Sequence, residues 1–357
     1  MPLSKRTSEI LVCLALLISF GLMPACSGGG KAGGPVNLVG AGSTFVNPLF
    51  QKWLSEYGKL NPKVSIDYQS IGSGAGIKQI LAQTVDFGAS DTAMKDEDLK
   101  AAPGPIVHIP VVLGAVVITY NLPAMAQPLH FSPDVIADIF LGKIKKWDDA
   151  RIKADNPGVK LPGGEITVVH RSDGSGTSGV FTDYLSKVSA EWKEKVGAGT
   201  SPSWPVGIGG KGNEGVTGQV KQTPNTIGYV ELAYAVKNNL PVALIKNKAG
   251  SFVQPSFDTV TAAAAESVAT TPEDLRVSIT DPSGAGTYPI SSYVYVLLYK
   301  EQKSVDKGKA LVDFLWWGIH DGENYAKDLQ YAPLPAEIVK RAEMKINSIT
   351  AAGKPLR

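Results

Sequence analysis

The sequence predicts an α/β fold of about two domains. Strand, glycine-rich loop and helix follow one another repeatedly in the N-terminal part. Two long β-rich runs, Ile106–Thr119 and Pro289–Tyr299, stand outside that repeat and mark candidate crossings between domains. At 357 residues the chain is long enough to bury a core without covalent staples.

Taken in order, Val36–Val39 reads as a short strand that feeds GAGSTF at 40–45 and then a helix. Phe45, Leu49, Trp53 and Tyr57 fall on one stripe of that helix, widened by Phe50 and Leu54, and Asn61-Pro62 ends it. Val64–Tyr68 alternates as a strand, and IGSGAG at 71–76 opens a second helix, Ile77–Gln83. Val85–Asp91 is a short apolar strand ending in polar residues. The run Ile106–Thr119 is broken by Pro110 and Gly114. Asp134–Phe140 reads as a helix, followed by Lys143, Lys145, Lys146 and Trp147. Ile166–Val169 is a strand and HRSDGSGTSG follows at 170–179. Val180, Phe181, Tyr184 and Leu185 then carry helical spacing. Ser201–Gly218 is dense in glycine and proline, and Ile227–Tyr234 returns to strand and helix. Ala262–Ala269 is helical and Thr280–Thr287 is a turn-rich link. Lys307–Leu329 reads as one helix, with Trp316, Trp317 and Tyr325 expected in the core.

Residues 1–25 read as an export signal: Lys5 and Arg6, then the apolar stretch Ile10–Leu22, too short to span a bilayer comfortably. Met23-Pro24-Ala25-Cys26 resembles a bacterial lipobox, in which Cys26 is lipidated and becomes the first mature residue. An ordinary cleaved signal with an incidental cysteine fits the same residues. Residues 26–35 form a glycine-rich tether that begins at the lipidated cysteine. Cys13 and Cys26 are the only cysteines, so the folded part carries no disulfide although it is exported. A net charge of +2 suggests neither nucleic acid nor a membrane surface as partner; any membrane contact is through the lipid anchor.

The chemistry concentrates at 170–179. Its glycines let backbone approach a ligand, Ser175 and Thr177 bring hydroxyls, and Arg171 brings a planar fork of donors. Followed by a helix N-terminus, these parts describe an oxyanion cradle. A Gly/Ser-rich connecting loop with a routine N-cap fits them too. Enzyme readings find little support. Ser43, Ser73, Ser175 and Ser178 each lack a flanking glycine of G-x-S-x-G, and Gly209-Gly-Lys211-Gly lacks the hydroxyl residue of a P-loop. The four histidines show no metal-ligand spacing. A phosphatase-like enzyme using Ser175 or Thr177 as nucleophile therefore stands only as the competing class. Three Gly/Ser/Thr loops, each opening a helix, point instead to a small anion held by neutral dipoles.

Several longer stretches carry a resemblance: GAGSTF at 40–45, IGSGAGIKQI at 71–80, TVDFGASD at 84–91, LGKIKKWDDARI at 141–152, RSDGSGTS at 171–178, GGKGNEG at 209–215 and IGYVELAYA at 227–235. Through them the chain resembles the phosphate-binding proteins of phosphate-specific ABC transporters over nearly all of its mature length. The resemblance implies a two-lobed periplasmic binding protein of the Venus-flytrap kind, with lobe I at 36–116 and 289–357 and lobe II at 117–288. It implies binding of inorganic phosphate in the cleft, no cofactor or metal, no catalysis, and delivery to the transporter's membrane permease and ATPase subunits from the periplasm or envelope face. Residue by residue it implies Thr44 by amide and hydroxyl, the amide of Phe45, Ser73, Asp91, Arg171, Ser175, the amide of Gly176, and Thr177 as ligands, with Asp173 orienting the arginine. The chain departs at His170, where relatives can carry arginine, beside the binding arginine but not at a ligand position.

Without the resemblance, Asp91 also fits a turn cap, Thr44 and Ser73 fit helix caps, and Arg171 with Asp173 fits a surface ion pair. A carboxylate in an anion site has its own logic. Phosphate near neutral pH keeps a proton to donate to Asp91, whereas sulfate has none, so one acidic residue supplies selectivity. Sulfate or molybdate is the alternative ligand on this reading.

Overall fold

The computed structural model describes residues 34–123, 125 and 127–357; the signal, Cys26 and most of the tether lie outside the described residues. The main sheet has eight strands: β1 Val36–Gly42, β2 Val64–Ser70, β3 Phe87–Ser90, β4 Ile106–Asn121, β5 Thr167–Arg171, β6 Ile208–Gly210, β7 Thr226–Glu231 and β8 Ser291–Tyr299. Their spatial order is β2-β1-β3-β8-β4-β7-β5-β6. β1 runs parallel to β2 and β3, and β5 parallel to β6 and β7. β8 and β4 run antiparallel to each other, and they join the two parallel groups.

β4 is the shared piece. Ile106–Ala115 pairs with β8, and Val116–Asn121 pairs with β7, so the strand changes partner between Ala115 and Val116. The returning chain clasps it at the same point: the Val116 amide donates to the Ile290 carbonyl at 2.9 Å, and Tyr288 Oη donates to the Val116 carbonyl at 3.0 Å. The expected break at Pro110 does not occur. Pro110 lies opposite Tyr295, where β8 shifts register, and that irregularity absorbs the missing N–H.

Four helices open on the middle of the sheet: α1 Asn47–Leu60, α2 Ser73–Leu81, α3 Gly176–Val188 and α4 Gly212–Gln222. On α1 the stripe of Leu49, Trp53 and Tyr57 is buried, and Asn61 ends the helix. α3 buries Val180, Phe181, Tyr184 and Leu185 as their spacing predicts. α4 begins inside Ser201–Gly218, the tract dense in glycine and proline. Its first residue, Gly212, takes φ +71°, which favours glycine.

The single helix expected over 307–329 is a correction. The helix Val305–Gly318 stops, and two 3₁₀ turns, Asp321–Tyr325 and Lys327–Leu329, follow. Trp53 is the cause: its indole N–H takes the Gly322 carbonyl at 2.8 Å, and its ring fills the space a side chain on Gly318 or Gly322 would need. Trp317 is buried, but Trp316 and Tyr325 are only half-buried, under the Arg357 guanidinium and the Lys52 ammonium respectively. No helix among the described residues is long and apolar enough to cross a membrane.

Candidate functional site

The three Gly/Ser/Thr loops meet at the centre of the sheet. Thr44 lies between β1 and α1, Ser73 opens α2, Asp91 directly follows β3, and Arg171 to Thr177 joins β5 to α3. Thr44, Ser73, Asp91, Arg171, Ser175 and Thr177 are all at most 3% exposed. Six polar side chains buried together from distant parts of the sequence make a built site rather than a set of surface loops.

Arg171 is the fixed charge. Its Nε and Nη2 donate to the two oxygens of Asp173 at 2.8 and 2.6 Å, and Nη1 donates to Thr177 Oγ1 at 3.3 Å. The Arg171 side chain is 1% exposed and that of Asp173 13%, so this is a largely buried bidentate pair and not a surface one. Asp173 also accepts the Gly212 amide at 3.0 Å. Burial alone would raise the Asp173 carboxyl, but the bonds and charge of Arg171 and the Gly212 amide outweigh it, and the group titrates below its usual range.

Asp91 is held differently. One carboxylate oxygen accepts the hydroxyl of Ser43, and the other accepts Thr177 Oγ1 at 3.4 Å. Among the described residues it forms no salt bridge. Burial pushes its carboxyl up to about 7, against the opposing pull of Ser43, Arg171, Thr177 and Ser73. Its backbone is anchored as well: the amide donates to Ser73 Oγ at 3.4 Å, and Ser292 Oγ donates to its carbonyl at 2.7 Å.

The cap readings divide. The N-caps of α1 and α2 are Val46 and Gly72, neither with a side-chain cap, so Thr44 and Ser73 are not helix caps. Ser175 is a true N-cap of α3, accepting the Ser178 amide at 3.0 Å. Gly176, the first residue of α3, presses its backbone against Ser73 Oγ and the Asp91 carboxylate, and any side chain there would collide with both. Phe45 is fully buried, and Tyr331 Oη donates to its carbonyl at 2.6 Å. His170 turns away from the site: it stacks on Trp204 with ring centroids 5.0 Å apart, and its Nδ1 lies 3.0 Å from the Arg171 carbonyl.

Sequence reasoning missed two participants. Ser43 binds Asp91 from the residue before Thr44. Asn213, fully buried on α4, reaches both Thr44 and Thr177. The stretch GGKGNEG held the signal for Asn213 without giving it a role. The two sides of the site are also tied at its lip, where the Gly74 amide donates to the Gly174 carbonyl at 2.8 Å. A cavity of about 290 Å³ opens beside Asp91, lined by Thr92, Arg276, Ser278 and Ser292 among others, but Thr44, Ser73, Arg171 and Ser175 are not on its wall. Asp91 itself lies on the wall, so the cavity adjoins the donor cluster at that residue. Among the described residues no group of three or more His, Cys, Asp or Glu is placed to hold a metal ion.

Comparison with known proteins identifies the family. A PBP superfamily domain model matches residues 29–317. The phosphate-binding protein PstS of Xylella fastidiosa (strain Temecula1) is 46% identical over 310 residues, 86% of this chain and 84% of that protein. PstS of Pasteurella multocida is 46% identical over 322 residues, 89% of this chain and 93% of its own length. Among solved structures, a high affinity periplasmic phosphate-binding protein bound with phosphate matches with a TM-score of 0.68 at 21% identity, covering 87% of this chain and 94% of that one.

Proposed function

The chain belongs to the PBP superfamily and, within it, to the PstS phosphate-binding proteins; on that premise we propose that it binds inorganic phosphate between two lobes and delivers it to an ABC-transporter permease. The observation that carries this reading is a buried guanidinium beside a buried carboxylate, Asp91, that forms no salt bridge among the described residues. Arg171, with N–H donors left over from Asp173 and Thr177, supplies the charge. The amides of Thr44, Phe45 and Gly176 and the hydroxyls of Thr44, Ser73, Ser175 and Thr177 supply neutral donors. Asp91 supplies the acceptor for a P–OH group. Ionised Asp91 facing sulfate would set lone pair against lone pair in a buried site, which costs several kcal/mol. A site built around such a donor rejects an anion lacking it by roughly 10⁴-fold.

The partner change within β4 and the clasp at Val116 support a lobe boundary there, with 36–116 and 289–357 in lobe I and 117–288 in lobe II. Thr44, Ser73 and Asp91 then come from lobe I, and Arg171, Ser175 and Thr177 from lobe II. The hydrogen bond from the Gly74 amide to the Gly174 carbonyl supports reading this arrangement as the closed form. No catalytic step is assigned to the site. Export by the signal at 1–25, lipid attachment at Cys26 and docking on permease and ATPase subunits complete the proposal; metabolic fatty-acid labelling that depends on Cys26 tests the anchor.

Calorimetric titration with phosphate, arsenate and sulfate tests the central reading. Phosphate and arsenate, alike in shape and protonation, are expected to bind and sulfate to bind far more weakly. Release of phosphate from a generic phosphate ester would point to an enzyme instead.

A further inference from the structure

We infer that Asn213 is a positioning residue that forces the hydroxyls of Thr44 and Thr177 to act as hydrogen-bond donors; the inference rests on the phosphate-binding reading above. Asn213 is fully buried. Its Oδ1 accepts the backbone amide of Glu231 at 2.9 Å. A backbone N–H can only donate, so this bond fixes which end of the amide is oxygen and turns Nδ2 toward the threonines.

From there the hydrogens are determined. Thr44 Oγ1 accepts Asn213 Nδ2 at 2.8 Å and the Asn213 backbone amide at 3.2 Å. A hydroxyl oxygen has two lone pairs and one hydrogen. With both lone pairs engaged, the Thr44 hydrogen is its only remaining capacity, and it has no acceptor among the described residues. Thr177 Oγ1 accepts Asn213 Nδ2 at 3.2 Å and Arg171 Nη1 at 3.3 Å, and its own hydrogen faces Asp91 Oδ2 at 3.4 Å. Both threonines are thereby committed as donors before an anion arrives, Thr44 with a hydrogen that has no acceptor among the described residues and Thr177 with one that faces Asp91 until the anion competes for it. A free hydroxyl would spend part of its time with the wrong polarity toward an anion, and preorganised donors avoid that loss.

The arrangement also depends on closure. Thr44 lies beside β1 and Asn213 on α4, on opposite sides of the proposed lobe boundary, so Thr44 acquires its fixed polarity only when the two sides meet.

The test is a double-mutant cycle between Asn213→Asp and Thr44→Val, read by phosphate calorimetry. The carboxylate introduced by Asn213→Asp keeps an oxygen for the Glu231 amide but accepts from the threonines instead of donating, which reverses their hydroxyls. Thr44→Val alone is expected to weaken phosphate binding about 10- to 100-fold, the size of one hydrogen bond to a charged group. Asn213→Asp is expected to cost more than that in the parent, and clearly less when Thr44 is already valine. Asn213→Ala, which removes the side-chain donors without adding charge, is carried through the same cycle in case Asn213→Asp does not fold. Equal losses in both backgrounds would mean that residue 213 acts through added charge or general support, and the inference would be wrong. A parent protein that binds no phosphate would overturn the functional reading beneath it.

Discussion

Two aspartates stand near one buried guanidinium, and burial acts on both in the same direction. Asp173 gives both oxygens to Arg171 and takes a further bond from the Gly212 amide, so its carboxyl is held below the usual range. Asp91 makes no direct hydrogen bond to Arg171, being linked to it through the Thr177 hydroxyl, and burial drives it up to about 7 against the pull of the arginine's charge. The difference separates two tasks. Asp173 is committed to the protein and fixes the arginine. Asp91 is held only by hydroxyls, so its affinity for a proton is left for a ligand to satisfy.

The largest effect is expected from the charge that both aspartates share. Arg171→Ala leaves Asp173 without its partner and the anion without a cation. Binding of phosphate and arsenate alike should fall by about 10³-fold or more, since breaking a buried ion pair costs about 3–5 kcal/mol. Calorimetry across the anions checks that the loss is unselective. A loss confined to phosphate would assign Arg171 a different role.

The next effect falls on stability. The folded protein keeps the Asp91 proton up to about pH 7, whereas an unfolded aspartate loses it near pH 4. Asp91 therefore favours the folded state fully below the unfolded value, and that contribution is lost as pH rises through about 7. An asparagine side chain has no such dependence. In phosphate-free buffer, Asp91→Asn should gain stability relative to the parent between about pH 5 and pH 8, by a few kcal/mol. Urea midpoints measure it. A difference flat with pH would mean that Asp91 is not raised in the empty site.

The same titration should alter selectivity without any mutation. Below about pH 7 the empty site carries a protonated Asp91, which can donate to sulfate. The parent's preference for phosphate should narrow by about tenfold per pH unit at most on acidification, the limit for one titrating proton. A preference that widens toward low pH would contradict the assignment.

The smallest effect is expected at the lip. A Cβ on Gly74 would lie 3.0 Å from Gly174 Cα and 3.2 Å from its carbonyl, so Gly74→Ala must ease the two sides apart. Overpacking of this kind costs about 1–3 kcal/mol, and phosphate affinity should fall by that share. The phosphate-to-sulfate ratio should stay constant, because neither aspartate is touched.

Much of this site was legible in the sequence because its chemistry is local. Gly/Ser/Thr loops at strand ends mark the stretches that hold Thr44, Ser73 and Arg171 to Thr177, and Val85–Asp91 reads as a short strand ending in polar residues. Thr44, Ser73 and Asp91 are singled out as ligands only by the family resemblance, since as bare sequence they fit caps. Asn213 was not legible in the same way. Its partners Thr44 and Thr177 are distant in the chain, and the helix that carries it starts on a glycine inside a tract that looks like loop. Ser43 was hidden by its neighbour, since adjacent hydroxyl residues cannot be told apart without knowing which way each points. The over-long C-terminal helix failed for a tertiary reason: the Trp53 indole claims the Gly322 carbonyl across the core, and no local pattern records that.

The central claim is that Asp91 reads the proton of phosphate. It is tested most directly by titrating phosphate and sulfate into the parent and Asp91→Asn at about pH 8, where the parent carboxylate is mostly ionised. The substitution keeps the volume, removes the charge and can offer an amide donor to a sulfate oxygen. Sulfate binding should rise and the phosphate-to-sulfate ratio should collapse, while phosphate affinity changes comparatively little. An unchanged ratio in a correctly folded Asp91→Asn protein would contradict the account and return Asp91 to a structural role at the end of β3.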